Sequence, residues 1–159
     1  MVLDALALSW AVWYGFSSLA EAQFFIALKD GKIAGRVAAI INRLEIDVQK
    51  VPRMRFGWID FIDDLDVSKA LLDKILEIGK KENLEFIEGP LGLSNLDKVG
   101  VLTEGFDSLS TMITWYNYPY YIEHYKKHGL VKSQKFIENE MTIRFDYFAL
   151  TFKLYEKSN

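Results

Sequence analysis

Between Arg55 and Gly92 the apolar residues change their spacing twice, and that double switch restricts what this chain can build. Arg55 to Ile62 (RFGWIDFI) is a β-branched and aromatic run of the kind a buried strand needs. Asp63, Asp64, Leu65 and Asp66 stop it. From Val67 the spacing turns helical: Val67, Leu71, Ile75 and Ile78 share one stripe, with Leu72, Leu76 and Gly79 beside it. Asp66 is placed as the N-cap, where a carboxylate accepts from the free amides of the first turn. Lys80 and Lys81 suit the negative end of the helix, and Asn83 closes it. Leu84–Glu88 predicts a second short strand, ended by Gly89 and Pro90. Strand, one crossover helix and strand at this length predict a right-handed parallel unit.

The flanks supply the rest of the domain. Phe24–Leu28 is strand-like, Lys29-Asp30-Gly31-Lys32 holds an Asp-Gly hairpin turn, and Ile33–Ile41 returns as an apolar strand interrupted by Gly35 and Arg36. Asn42–Val51 is polar and reads as a loop or a turn-rich excursion. Residues 92–119 form a long irregular segment, a length that in small domains carries function or hides a short element. Thr111–Tyr116 is the predicted hidden strand. Tyr120–His128 predicts a helix with Gly129 as its C′ residue, and Val131–Phe145 one more strand or a hairpin. The expected architecture is α/β, a mixed antiparallel/parallel twisted sheet with flanking helices, as one domain over 22–145. A tail or edge strand over 146–159 follows it.

Met1–Ala22 is apolar, but it lacks Lys or Arg ahead of the apolar run and carries Asp4 where a signal peptide is positive. Asp4, Ser9, Gly15, Ser17 and Ser18 interrupt it as a membrane span. It reads as a helix or poorly defined segment over 1–21 docked on the domain, with no membrane partner. A net charge of −3 and a pI near 5.4 argue against nucleic acid as the main partner. With no cysteine there is no disulfide, thiolate nucleophile or Cys-bound zinc, which fits a cytoplasmic protein.

The hairpin IALKDGKIAGRVAAIIN, the strand–helix–strand core and the segment YIEHYKKHGLVK together resemble the acyl-CoA-dependent N-acetyltransferase superfamily. The last segment is similar to that fold's Tyr-Glu-Lys-Leu-Gly-Phe pattern, with Tyr125, Lys126, Lys127, His128, Gly129 and Leu130 in the matching places. GPLGLSNLDKVGVLTEGFDSLSTMITWYNYPYYIEH resembles a bacterial acetyltransferase-like subgroup. The resemblance covers about residues 22 to 140; subgroup members are longer, so the chain reads as a truncated or frame-disrupted copy. The resemblance implies an acetyl-CoA or other acyl-CoA cofactor between two splayed strands. Backbone groups of Asp60, Phe61 and Ile62 would hold the pantetheine, and the helix start at Asp66 and Val67 would face the diphosphate.

One departure is local and electrostatic. Where the superfamily has a Gly-rich basic loop, this chain has Asp63-Asp64-Leu65-Asp66. A carboxylate about 6 Å from a phosphate charge, at an effective dielectric of about 20, costs on the order of 3 kcal/mol before screening. These aspartates cap and solubilise the helix, or mark a cation site or an altered cofactor pose.

The resemblance places Tyr125 as the proton donor to the departing thiolate; the bland alternative is an aromatic packing its helix on the sheet. Glu88 is the first choice of base, ahead of Glu85 and Asp60. Trp115, Tyr116, Asn117 and Tyr120 are candidate pocket walls, or simply cover the core. His124 and His128 share a helix face, but Lys126 and Lys127 beside them would repel a cation, so no metal is expected. Lys126, Lys127, Lys132 and Lys135 read as a solvated face. The functional expectation is N-acetyl transfer from acyl-CoA to a small-molecule or peptide amine. The rival is a non-catalytic binding or interaction module that has lost the diphosphate loop, and an exposed sheet edge would favour a homodimer.

Overall fold

The computed structural model describes residues 20–93, 97–112 and 114–138. The N-terminal helix expected over 1–21 falls almost wholly outside them, as do the 139–145 half of the last expected strand and the tail.

Strand β1 (Ala20–Lys29) turns at Asp30 and Gly31, both left-handed (φ 52° and 74°), into β2 (Lys32–Asn42). That two-residue turn twists with the strands, which is why an Asp-Gly pair sits there. A single π-helical turn, Leu44–Val48, fills the polar stretch expected to be a loop. It delivers Glu45 beneath the sheet, 6% exposed, to Arg55 and Arg53 of the next strand. Strand β3 (Arg53–Phe61) pairs antiparallel with β2. Helix α1 (Leu65–Lys81) then crosses to β4 (Phe86–Glu88), which lies parallel to β3. The sheet order is β1-β2-β3-β4, antiparallel at its first two junctions and parallel at the third. This is the mixed sheet the hydrophobic pattern called for.

Val67, Leu71, Ile75 and Ile78 are buried against the sheet, each such side chain contributing roughly 1.5–3 kcal/mol of transfer free energy. Met54 and Phe56 meet them from β3, and Phe25 and Ala27 from β1. Leu76 does not join them; it sits 38% exposed on the far side of the stripe. The cap is also shifted. Asp64, not Asp66, is the N-cap, its carboxylate accepting from the amides of Asp66 and Val67 at 2.9 and 3.3 Å. Asp64 holds extended dihedrals, whereas Asp66 is already helical.

Helix α2 (Tyr120–Lys127) ends as the glycine foretold: Gly129 is left-handed (φ 81°), its amide donates to Lys126 and that of Leu130 to Tyr125. The expected strand at Thr111–Tyr116 is absent among the described residues there, and 131–138 is likewise irregular. In place of a ladder, Glu138 accepts from the Thr111 amide and hydroxyl at 3.1 and 2.8 Å.

Candidate functional site

The site begins where β3 loses its neighbour. The β3–β4 ladder runs only from Arg53–Phe86 to Arg55–Glu88. One more bond, Leu91 N–H to the Phe56 carbonyl at 2.8 Å, keeps the outgoing chain close. Gly57 makes that approach possible, since a Cβ there would lie 2.3 Å from the Leu91 carbonyl oxygen. Beyond Gly57 the two segments part.

The same point carries a bulge. Register with β2 passes from Ala38–Gly57 to Arg36–Asp60, so Trp58 and Ile59 together face Val37 alone. Trp58 takes φ 45°, a left-handed conformation that costs a bulky residue about 1 kcal/mol or more. The bulge kinks β3 and sets Trp58, Ile59 and Asp60 along one wall of a cleft of about 90 Å³. Pro90, Lys98, Gly100 and Val101 form the opposite wall, Trp115–Asn117 the rim, and Tyr121 and Tyr125 of α2 the floor.

Tyr125 is 8% exposed, and its hydroxyl has no hydrogen-bond partner among the described residues. Burial, with smaller contributions from Tyr121 and Asp60, pushes its phenol well above the ordinary value, so it stays protonated. Tyr121 lies flat on Phe61 with ring centroids 4.1 Å apart. Its hydroxyl donates to Asp60 Oδ1 and accepts from the Phe61 amide at 3.1 Å. Burial and then the Asp60 bond raise the Tyr121 phenol too. Tyr120 donates to the Phe61 carbonyl at 2.6 Å.

These bonds occupy the groups expected to receive pantetheine. Phe61 has both peptide groups bound by tyrosine hydroxyls, and the Ile62 amide donates to Ala34 at 3.0 Å. The Asp66 and Val67 amides at the helix start are held by Asp64, which also pairs with Lys29. Asp63 bonds His124 Nε2 at 2.9 Å. The acidic turn is therefore tied into the fold by its own neighbours.

Glu88, the expected base, is not among the residues lining the cleft. It pairs with Arg53 and accepts from Ser133 Oγ at 2.9 Å. Asp60 is the carboxylate that does line it. Asn117 is buried at the rim, with its amide committed to the backbone: it accepts from Leu102 N–H at 2.6 Å and donates to the carbonyls of Leu102 and Tyr118. It shapes the loop and offers no free group to a ligand. Trp115 and Tyr116 do stand at the rim, Trp115 beneath the Lys98 ammonium at 4.3 Å. Tyr120 stacks on Tyr118, centroids 5.6 Å apart, and reinforces the floor from outside the lining.

His124 and His128 share Ser68: its hydroxyl lies 2.8 Å from His124 Nδ1 and 2.8 Å from His128 Nε2. The string Ser68–His124–Asp63 has the connectivity of a hydrolytic triad. Ser68 is completely buried and also bonds the Leu65 carbonyl, so no substrate reaches it, and the string instead clamps α2 to the start of α1. No group of three or more His, Cys, Asp or Glu placed to hold a metal occurs among the described residues.

Sequence reasoning passed over Arg36, Trp58 and Lys98 as site residues. Arg36 did leave a signal, as the one charge inside an apolar strand; nothing local marks Lys98, which reaches the cleft only through the path of its loop.

No protein-family model matches the chain, and no solved structure matches it. Over 110 residues it is 33% identical to Protein YghO of Escherichia coli (strain K12), a match taking in 69% of this chain and 28% of that protein. The chain thus spans little more than a quarter of the length of that curated relative. Among the described residues no helix is long and apolar enough to cross a membrane.

Proposed function

We propose that the chain carries the core of an acyl-CoA-dependent N-acyltransferase, passing an acetyl or other acyl group directly to a small-molecule or peptide amine in the cytoplasm. The observation that carries this reading is the Tyr125 hydroxyl, buried and unpartnered among the described residues, on a side chain that lines the gap where two parallel strands part. A buried hydroxyl left unbonded costs about 1–3 kcal/mol, and folds retain few of them without a use. A sulfur or oxygen entering from the gap would satisfy it on displacing the groups that now cover it.

The chemistry asked of the chain is modest. The amine nitrogen bonds the thioester carbonyl carbon and the carbon–sulfur bond breaks. Tyr125 gives its proton to the departing thiolate and is reprotonated, through water, by the proton that the acylated nitrogen sheds as the amide forms. Asp60 takes the hydrogen bond of the incoming ammonium, whose proton leaves through it to water. Burial keeps the phenol protonated but makes it a weaker acid, so the donor role requires the ligand to relieve that burial.

A second reading, a non-catalytic binding module derived from such an enzyme, is favoured by the occupied amides of Phe61, Asp66 and Val67. Thermal unfolding with acetyl-CoA separates the two. A ligand at 100 times its dissociation constant adds about 2.7 kcal/mol. Acetyl-CoA should raise the melting temperature and release thiol when an amine is supplied; no shift at millimolar acetyl-CoA would leave the module reading in its place.

A further inference from the structure

We infer that the acceptor in this cleft is an aminocarboxylate, its carboxylate held by Arg36 and its ammonium by Asp60; this rests on the acyl-transfer reading. Arg36 and Asp60 are register partners across β2 and β3, so their side chains share one face of the sheet. Both line the cleft, and both are exposed to solvent. They nevertheless do not form an ion pair with each other, and Arg36 has no ion-pair or hydrogen-bond partner among the described residues. Asp60 has Tyr121 on Oδ1, and no bond to its other oxygen occurs among the described residues. An opposite-charge pair set side by side and left open is suited to a ligand that carries both charges on adjacent atoms. A zwitterion bridges such a pair, and a simple amine would leave the Arg36 guanidinium facing an uncharged group.

The remaining walls restrict the rest of the molecule. Trp58, Trp115 and Tyr116 give three aromatic surfaces around a volume of about 90 Å³, enough for a small polar head with an apolar side chain laid against the rings. Lys98 sits over Trp115 at the rim, so a second cation borders the cleft on the wall away from Asp60. Arg36 is the cation set in register with the cleft's carboxylate. Its planar fork matches a carboxylate. Gly35, next to Arg36 on β2, faces Leu71 of α1, so Arg36 itself stands on the sheet face opposite α1, and its anion is assigned to the acceptor and not to the acyl carrier.

The test uses the full chain with phenylalanine, phenethylamine (no carboxylate) and 3-phenylpropionate (no amine). Binding is followed by calorimetry, and transfer by thiol release from acetyl-CoA. Wild type should bind phenylalanine about tenfold or more tighter than phenethylamine, as charge-assisted bonds of this kind imply. Arg36→Met, an exposed change that should leave the melting temperature in place, should erase that preference and leave acetyl-CoA binding unchanged. Equal binding of phenylalanine and phenethylamine, or a preference that survives in Arg36→Met, would overturn the inference. So would an Arg36→Met chain that loses acetyl-CoA affinity, since the anion would then be the carrier's phosphate. Phenylalanine binding that depends on Arg36 without any thiol release would sink the transfer reading and leave the aminocarboxylate site standing.

Discussion

Tyr125→Phe removes one oxygen and nothing else, and the fold sets its two consequences in opposite directions. The hydroxyl lies in an 8% exposed residue, with no partner among the described residues. Desolvating a polar group without a compensating bond costs about 1–3 kcal/mol, a cost the phenylalanine variant does not carry. The ring contacts with Phe56, Phe61 and Tyr121 are unchanged by the substitution. The variant should therefore be at least as stable as wild type, and up to about 3 kcal/mol more so in the empty state. At roughly 2–4 °C per kcal/mol for a chain of this size, calorimetry or circular dichroism would resolve the rise. Thiol release from acetyl-CoA should fall by about a hundredfold, the lower range for losing a positioned proton donor. Because burial holds the phenol above its ordinary value, wild-type turnover should show no alkaline decline below about pH 9 from this group. A variant more stable and less active is what a site residue gives. A loss of more than about 1 kcal/mol in Tyr125→Phe would mean that the hydroxyl is bonded within the fold, and the gap would lose its claim to a ligand.

Two further tests concern the frame around the cleft. Glu45 is buried between Arg55 and Arg53, with Arg55 Nε 2.9 Å from Oε2. Burial alone would raise its carboxyl, but the two guanidiniums outweigh that and hold it below the ordinary value. A depressed carboxylate adds stability that is complete above the unfolded value of about 4.3 and is lost as pH falls through the folded one. The chain should thus lose stability on acidification below about pH 4. Glu45→Gln should cost about 3 kcal/mol at neutral pH by leaving two guanidiniums short of their charge; a neutral result in urea melts would show the network to be dispensable. Gly57→Ala would put a Cβ 2.3 Å from the Leu91 carbonyl oxygen, backbone against backbone, and should cost about 3 kcal/mol and widen the cleft mouth. Gly31→Ala stands in open space at φ 74° and should cost only about 1 kcal/mol, so equal melting temperatures for the two would refute the close approach.

The strand–helix–strand unit was legible because period and burial agree there. Val67, Leu71, Ile75 and Ile78 recur at helical spacing and are the residues that meet the sheet. The Asp30-Gly31 turn and the Gly129 stop were legible for a different reason, since each requires a left-handed backbone and the sequence supplies residues that tolerate it. What misled was the region where neither condition operates. Thr111–Tyr116 has the composition of a strand, but a strand needs a partner edge, and there Glu138 takes the Thr111 amide instead. Asp64 and Asp66 are chemically equal as caps; the choice fell to Asp64 because Lys29 reaches it from the hairpin, a contact spanning β1 and the helix start.

The same distinction decides the site. Tyr125 could be placed from its helix and its motif, because a helical residue's face is fixed by its neighbours. Glu88 lies outside the cleft because a strand-end carboxylate can face either the cleft or a cation, and Arg53, two register positions from Glu88's own partner Arg55, took it. Asp60 was named for its backbone and, behind Glu88, as a base, and its side chain lines the cleft: the bulge at Trp58 shifts the alternation by one residue, so period-two counting from Arg55 gives the wrong face beyond it. One displaced residue in β3 thus does three things at once. It ends the pairing with the outgoing chain, turns Asp60 toward Tyr121 and sets Arg36 opposite. A Trp58 deletion would leave Ile59 alone facing Val37 and Asp60 still opposite Arg36, but it should straighten β3, close the gap and abolish ligand binding, while the hairpin and the α1 core keep their packing.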